Sequence, residues 1–184
     1  MKVSVIGLGY IDLPTAAILA SHQVEVVGVD IQKDIVDKVN NGKIHIDEPE
    51  LEELVCSMIK DGYLSSATEP VEADVFMIAV PTPLTKSNEP DISCIEKAVY
   101  SIAPVLKKGN MVILESTVPV GTTREIKNII SKKINEKNFD VVSNPEFLRE
   151  GSAINDFMRP DRVIIGCDNK KSEDIMKELY RPLY

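Results

Sequence analysis

The sequence predicts an α/β fold, a doubly wound sheet of parallel strands covered by helices on both faces. Segments typical of strands and of helices alternate from the first residue, which is the order that a parallel sheet requires. Apolar residues make up 43% of the chain and aromatic residues only 5%, so aliphatic side chains must form the core. A chain of 184 residues suits one domain, and we expect residues 1–184 to form it.

Runs of strand length and segments with helical spacing place the elements of this fold. The predicted strands are residues 3–6, 24–29, 64–68, 74–80, 111–114, 139–142 and 163–165. The predicted helices are residues 13–21, 31–40, 50–60, 92–106 and 121–133, with a further helix from Ser172 onward. The polar stretch 85–91 predicts a loop.

Charge and composition argue against several classes of protein. The formal net charge is −8, and the one basic cluster, Lys132, Lys133 and Lys137, is interpreted as a solvated helix face, so no nucleic-acid partner is expected. No run of about 20 apolar residues occurs and no signal peptide precedes the first strand, so no membrane partner is expected. Three scattered cysteines and two histidines predict no metal site and no disulfide framework, which favours a cytoplasmic location.

A glycine turn lies between the first predicted strand and the first predicted helix. Gly7 allows the tight turn, and Gly9 lets the backbone approach a diphosphate, with Tyr10 and Ile11 opening the helix. Asp30 ends the second strand about twenty residues later, where a carboxylate binds a ribose 2′-hydroxyl and repels a 2′-phosphate. The pattern predicts a Rossmann-like domain that binds NAD rather than NADP. The alternative is a tight turn followed by an unrelated aspartate.

Asp12 departs from the glycine pattern, because it stands where a third glycine would allow the helix to pack closely on the strand. If its carboxylate lay ~5 Å from a phosphate, the repulsion would cost on the order of 3 kcal/mol at an effective dielectric near 20. If it pointed to solvent, it would favour the helix N-terminus by about 0.3–1 kcal/mol. Both placements are open, and the first leads to the hypothesis that Asp12 weakens NAD binding.

Four motifs resemble those of the UDP-glucose and GDP-mannose dehydrogenase family. They are Gly-Leu-Gly-Tyr-Ile-x-Leu-Pro at 7–14, Val-Pro-Thr-Pro at 80–83, Glu-Ser-Thr-Val-Pro-Val-Gly-Thr at 115–122 and Asn-Pro-Glu-Phe-Leu-Arg-Glu-Gly at 144–151. The resemblance covers nearly the whole chain. Residues 42–46 and 79–83 are most similar to UDP-N-acetylmannosamine dehydrogenases, whereas residues 144–151 are more similar to UDP-glucose dehydrogenases, so the sugar stays open.

Two threonines follow predicted strands at the edge of the sheet where open α/β proteins bind ligands. Thr82 and Thr117 carry hydroxyls that suit a nicotinamide ribose or an ordered water, although threonines also cap turns. The resemblance implies that Thr82, Pro83 and Thr117 contact the cofactor, and that Thr117 also takes part in catalysis.

The segment after the sixth predicted strand carries the substrate side of the resemblance. A carboxylate such as Glu146 can take or give a proton beside a substrate. The resemblance implies that Glu146 assists hydrolysis of a thioester intermediate. It also implies that Glu146, Phe147, Leu148, Arg149 and Glu150 contact a UDP-sugar, and that Glu150 lies near the nicotinamide. Surface carboxylates in salt bridges are the alternative for both glutamates.

The resemblance further implies an NAD-dependent oxidation of a nucleotide-sugar alcohol to a uronic acid in two steps, through a cysteine thiolate in a glycine-rich segment. Cys56, Cys94 and Cys167 lack that context and are interpreted as packing residues. We therefore expect the chain alone to be inactive, and its last residues to lead into a central helix and a UDP-binding domain of a homo-oligomeric enzyme.

Two other functions remain open at this point. The chain could be a free-standing nucleotide-binding or regulatory module without catalysis, or part of another oxidoreductase such as a β-hydroxyacid dehydrogenase. The motif at 144–151 argues against the β-hydroxyacid dehydrogenase. An open reading frame beyond codon 184 that encodes the cysteine segment would argue against the free-standing module.

Overall fold

The computed structural model describes residues 1–134 and 138–181; Lys137 of the basic cluster and the last three residues of the predicted domain lie outside this range. Six strands form one sheet in which every pairing is parallel, in the order β3-β2-β1-β4-β5-β6. The strands are β1 Lys2–Ile6, β2 Glu25–Val29, β3 Leu64–Ala67, β4 Val75–Ile78, β5 Met111–Leu114 and β6 Asp140–Ser143. The predicted doubly wound parallel sheet is confirmed.

Helices cover both faces of this sheet. They are α1 Asp12–Ser21, α2 Lys33–Asn40, α3 Leu51–Lys60, α4 Ser93–Ile102, α5 Thr122–Ile134, α6 Ala153–Met158 and α7 Lys170–Tyr180. Helices α1, α2, α3, α6 and α7 pack on one face, and α4 and α5 pack on the other. Successive strand residues alternate between the two cores, since Met77 belongs to the first and Phe76 to the second. Within the described ranges, no helix is both long and apolar enough to cross a membrane.

The strand order reverses direction between β1 and β4, which lie side by side at the centre of the sheet. Chains that leave these two strands go to opposite faces, so a crevice opens beyond their carboxyl ends. The glycine turn follows β1 at this crevice, and the loops after β4, β5 and β6 reach the same edge of the sheet. The topology therefore gathers the four motifs into one region.

Two expectations about individual elements were wrong, and one helix was missed. Residues 163–165 form no strand; only Gly166 makes an isolated antiparallel bridge, to Ser143. The carbonyl of Ile164 instead accepts a hydrogen bond from the Asn144 side chain at 2.9 Å. Helix α6 was not predicted, and helix α4 ends at Ile102 rather than at residue 106.

Leu8 and Gly28 set how closely the glycine turn approaches β2. Leu8 is fully buried, and a Cβ added to Gly28 would lie 2.4 Å from Leu8 Cδ2. We expect Gly28→Ala to lower the free energy of unfolding by about 1–3 kcal/mol through overpacking, measured by urea denaturation. In a Leu8→Ala background the same change should cost under about 0.5 kcal/mol, since the clashing methyl is gone. Equal costs in both backgrounds would contradict this packing account.

Candidate active site

The glycine turn is held by backbone and carboxylate hydrogen bonds. Gly7 has a φ of +114°, a conformation that glycine adopts without strain, and its N–H donates to the carbonyl of Val29 at 2.8 Å. The next amide, that of Leu8, donates to Asp30 Oδ2 at 3.2 Å. Asp30 Oδ1 accepts from the amide of Gln32 at 2.9 Å. Asp30 thus joins the end of β2 to the turn after β1.

A cleft of about 850 Å³, called here the first cleft, opens over this turn. Most of the residues predicted to bind the cofactor line it: Gly7, Gly9, Tyr10, Ile11, Asp30, Thr82, Thr117 and Glu150. Pro83 is not among the lining residues, and its carbonyl accepts a hydrogen bond from the Asp91 amide at 2.8 Å. Ile31 is 92% exposed at the same cleft, where its side chain offers apolar surface to a planar base.

Asp12 does not point to solvent, so that alternative for its placement was wrong. Its side chain is only 4% exposed, and Oδ2 accepts a hydrogen bond from the amide of Gly9 at 3.1 Å. The other oxygen, Oδ1, is buried and has no hydrogen-bond partner among the described residues. Nine of the ten residues of α1 are buried, so the side chain of its first residue, Asp12, lies beneath the glycine turn rather than in solvent. A Cβ at Gly7 would lie 2.3 Å from Asp12 Oδ2, so the first glycine is needed beside this carboxyl.

Asp12 is one of three carboxyls at the clefts whose pKa is raised, chiefly by burial. Burial raises the pKa of Asp12 to about 8, the Gly9 hydrogen bond opposes this, and the charges of Asp30 and Glu146 add to it. Burial also raises the pKa of Glu115 well above its ordinary value, with further contributions from Asp12 and Glu146. The pKa of Glu146 is raised by burial and lowered in part by its hydrogen bond to the amide of Leu148. Asp12, Glu115 and Glu146 therefore each hold a proton more tightly than a solvated carboxyl.

A smaller cleft of about 470 Å³, the second cleft, lies beyond β5 and β6 and is lined by residues 144–149, 155–157 and 159–163 together with Glu115 and Tyr180. Four of the five predicted substrate residues, Glu146, Phe147, Leu148 and Arg149, line it, whereas the fifth, Glu150, lines only the first cleft. Glu146 also lines the first cleft, so its side chain stands where the two clefts meet. Its Oε2 accepts from the amide of Leu148 at 2.6 Å, which fixes the carboxyl within its own loop.

Aromatic and basic side chains form the wall of the second cleft. Arg149 donates from Nη2 and Nε to the Asp156 carboxylate at 2.7 and 2.9 Å. The Arg149 hydrogen bond lowers the pKa of Asp156 to about 2. Arg162 lies over the ring of Phe147, with its guanidinium carbon 4.6 Å from the ring centroid. The Tyr180 hydroxyl donates to Asn144 Oδ1 at 2.6 Å and closes the floor.

The loops after β4 and β5 are bonded to each other. Thr82 Oγ1 donates to the carbonyl of Thr117 at 2.9 Å, and Ser116 Oγ donates to the carbonyl of Val80 at 2.8 Å. The Thr82 hydroxyl keeps its acceptor capacity after donating this bond. Thr82 and Thr117 are therefore held together at the edge of the first cleft, as their positions after neighbouring strands predicted.

Two residues at these clefts escaped the sequence analysis. Glu115 was noted only as part of a motif, yet its side chain is 1% exposed and Oε2 has no hydrogen-bond partner within residues 1–134 and 138–181. A charged residue directly after the apolar run Met111–Leu114 was the available signal. Cys94 was interpreted as a packing residue but lines the first cleft.

In the part of the chain that the structure describes, no three His, Cys, Asp or Glu side chains gather as metal ligands.

The raised pKa of Asp12 gives a stability prediction with a definite sign. The unfolded carboxyl ionises near pH 3.8 and the folded one near pH 8. The contribution of Asp12 to the free energy of unfolding is therefore greatest below about pH 4 and is lost as the pH rises to about 8. We expect the free energy of unfolding of Asp12→Asn, relative to the wild type, to rise across this window by on the order of a few kcal/mol. Urea titrations at successive pH values measure it. The exposed Asp47→Asn variant is the control, and a difference that does not change with pH would contradict the assignment.

Comparison with known proteins places this arrangement in a family. Residues 1–184 match the UDP-glucose/GDP-mannose dehydrogenase family, NAD binding domain. The chain is 48% identical over 183 residues to the UDP-N-acetyl-D-mannosamine dehydrogenase of Campylobacter jejuni, covering 94% of this chain and 45% of that protein. It is 46% identical over 181 residues to the NDP-N-acetyl-D-galactosaminuronic acid dehydrogenase of Ralstonia nicotianae, covering 93% and 43%.

A solved structure agrees with these relatives. The UDP-D-ManNAc dehydrogenase of Pyrococcus horikoshii superposes with a TM-score of 0.93 at 34% identity, covering all of this chain and 45% of that one. The chain thus spans less than half the length of the proteins it matches. The match decides against the β-hydroxyacid dehydrogenase alternative and confirms the resemblance found in the four motifs. The chain belongs to the UDP-glucose/GDP-mannose dehydrogenase family, whose NAD-binding domain it represents.

Proposed function

We propose that this chain is the N-terminal NAD-binding part of a UDP-sugar 6-dehydrogenase, which oxidises a nucleotide-sugar alcohol to the uronic acid in two NAD-dependent steps. The observation that carries the proposal is the position of Glu146, which lines both the first cleft, over the glycine turn, and the second cleft. A carboxyl shared by a cofactor cleft and a second cleft suits a reaction in which the alcohol carbon gives a hydride to one acceptor and its hydroxyl gives a proton to another.

The first cleft fits NAD through the backbone and one carboxylate. Gly9, Tyr10 and Ile11 line the cleft at the start of α1, where helix amides favour a diphosphate. Asp30 would accept hydrogen bonds from the adenosine ribose and would repel a 2′-phosphate, which favours NAD over NADP. Bound NAD supplies the hydride acceptor. Thr82, Thr117 and Glu150 would border its nicotinamide end.

Glu146 and Thr117 are the residues of this chain that we assign to catalysis. Oxidation of the alcohol releases one proton for each hydride transferred, and a carboxyl with a raised pKa can exchange that proton with the substrate or with a water. Thr117 lies on the loop that the Thr82 hydroxyl bonds, and its hydroxyl can orient such a water. The thiolate that carries the intermediate would come from a segment beyond residue 184.

The second cleft would take the sugar. Phe147, Leu148 and Arg149 would contact the UDP-sugar there together with Glu146, and Glu150 would reach it from the first cleft. The ring of Phe147, with Arg162 over it, gives an apolar and cationic surface for the sugar. Two of the relatives are named for N-acetylated sugars, a mannosamine and a galactosaminuronic acid. UDP-N-acetylmannosamine is therefore the first substrate to test, ahead of UDP-glucose.

The complete enzyme would extend beyond this chain. A central helix, a UDP-binding domain and a homo-oligomeric assembly in the cytoplasm complete the proposal, which accords with the chain covering 43–45% of its relatives. The chain alone would bind NAD without turning over a substrate. A free-standing nucleotide-binding module is the second candidate, supported by the lack of any cysteine among the described residues that line the second cleft. A downstream reading frame with the cysteine segment would decide against it.

Asp30 gives the direct test of the cofactor site. Asp30→Asn keeps one acceptor but loses the charge, so NAD affinity should fall about 10- to 100-fold, the range expected for a charged hydrogen bond. The preference for NAD over NADP should shrink at the same time. Isothermal titration of this chain with both cofactors measures the effect, and the exposed Asp34→Asn variant of the same region is the control. Unchanged NAD affinity in Asp30→Asn would refute the assignment.

Glu146 gives the test of the reaction in the full-length protein. With UDP-N-acetylmannosamine we expect two NADH formed per sugar, followed by absorbance at the NADH band. Glu146→Gln should lower kcat by about 10²- to 10⁴-fold, the usual contribution of a proton-transferring group. NAD affinity should change little, and exposed Glu53→Gln should behave as the wild type. A Glu146→Gln enzyme with wild-type kcat would rule out the assigned role.

A further inference from the structure

The carboxyl of Asp12 occupies a backbone donor that the glycine turn would offer to a phosphate. Gly9 N–H points to Asp12 Oδ2 at 3.1 Å, and the same oxygen lies 3.4 Å from where a Cβ of Gly9 would be. Asp12 lines the first cleft although its side chain is almost completely buried. A carboxyl of this chain is therefore bonded to an amide of a turn of the kind that binds external anions at the start of a helix.

The surroundings of Asp12 disfavour its negative charge. Oδ1 is buried without a hydrogen-bond partner in the described part of the chain, so one of its two oxygens receives no compensation for lost water. The charged groups that face it are acidic: Asp30 at the end of β2, Glu115 at the end of β5 and Glu146 after β6. The basic residues that line the same cleft are Lys97 on α4 and His45 in the loop after α2.

We propose that NAD binding to this chain is coupled to proton uptake, with Asp12 required to be a neutral carboxyl before the diphosphate can take the Gly9 amide. The inference rests on the cofactor site proposed above. A neutral carboxyl accepts a weaker hydrogen bond than a carboxylate, so it yields the amide more easily, and it adds no repulsion to the incoming charge. The proton comes from solvent and stays on Asp12 in the complex.

The direction of the pH dependence follows from the raised pKa. Because the pKa of Asp12 in the free protein is about 8, the carboxyl is neutral below that pH and NAD affinity should be constant there. Above it, each further pH unit should lower NAD affinity about tenfold, since one proton must be taken up for each NAD bound. A diphosphate nearby raises the pKa further, so the proton is retained after binding.

The experiment is isothermal titration of this chain with NAD between pH 6.5 and 9.5, in two buffers with different ionisation enthalpies. The difference in heat between the buffers counts protons taken up per NAD. We expect none near pH 6.5 and close to one at pH 9.5. Asp12→Asn and Asp12→Gly should lose the tenfold fall per pH unit and bind at least about tenfold more tightly than the wild type at pH 9.5. Asp47→Asn, in an exposed loop, should keep the wild-type profile.

Two outcomes overturn the inference and are distinguishable. If the wild type binds NAD with constant affinity and no proton uptake, and Asp12→Asn behaves identically, the coupling is refuted while the cofactor site stands. If neither the wild type nor Asp12→Gly binds NAD at any pH, although both show cooperative thermal unfolding, the cofactor site is refuted and the coupling with it. Asp12→Gly keeps the test independent of any effect of an asparagine amide at a buried position.

Discussion

The close approach of β1, β2 and α1 at residues 6–12 is the constraint on which the rest of the site depends. Gly28 leaves no room for a Cβ beside Leu8, so the glycine turn lies directly against the second strand. Asp30 then reaches the Leu8 amide from β2, and Asp12 reaches the Gly9 amide from α1. Both turn amides are thus fixed by carboxyls of the elements that flank the turn, and the first cleft has a rigid floor before any ligand arrives.

The parallel strand order brings the remaining chemistry to that floor. Because β4, β5 and β6 follow one another across the sheet, their loops leave from one edge and can bond to each other. The amide of Glu146 donates to the carbonyl of Glu115 at 3.3 Å, and the Thr82 and Ser116 hydroxyls join the loops after β4 and β5. Two clefts that share one carboxyl are a consequence of this bonding, since a freer loop after β6 would not hold Glu146 between them.

Sequence reasoning reached the sheet, the glycine turn and Asp30 because each has a local signal: a buried apolar run, a pair of glycines, a carboxylate at a strand end. It failed for residues 163–165, where three consecutive apolar residues suggested a strand. The Ile164 carbonyl instead accepts a hydrogen bond from the Asn144 side chain. It also left the placement of Asp12 undecided. That placement depends on how deeply α1 is buried by helices distant in sequence, which a local pattern does not report.

A chain with a net charge of −8 presents a group of carboxyls to a cofactor that is itself anionic. The repulsion estimated for Asp12 assumed that its carboxyl is ionised, but burial keeps the proton on Asp12 up to about pH 8 and raises the pKa of Glu115 well above its ordinary value. The same burial that costs stability when Asp12 ionises therefore removes its charge at neutral pH. Asp30 is fixed by two backbone amides instead, and its charge faces a ribose rather than the diphosphate in the proposed complex. An acidic cleft is compatible with an anionic ligand here because its most buried carboxyl, Asp12, is neutral.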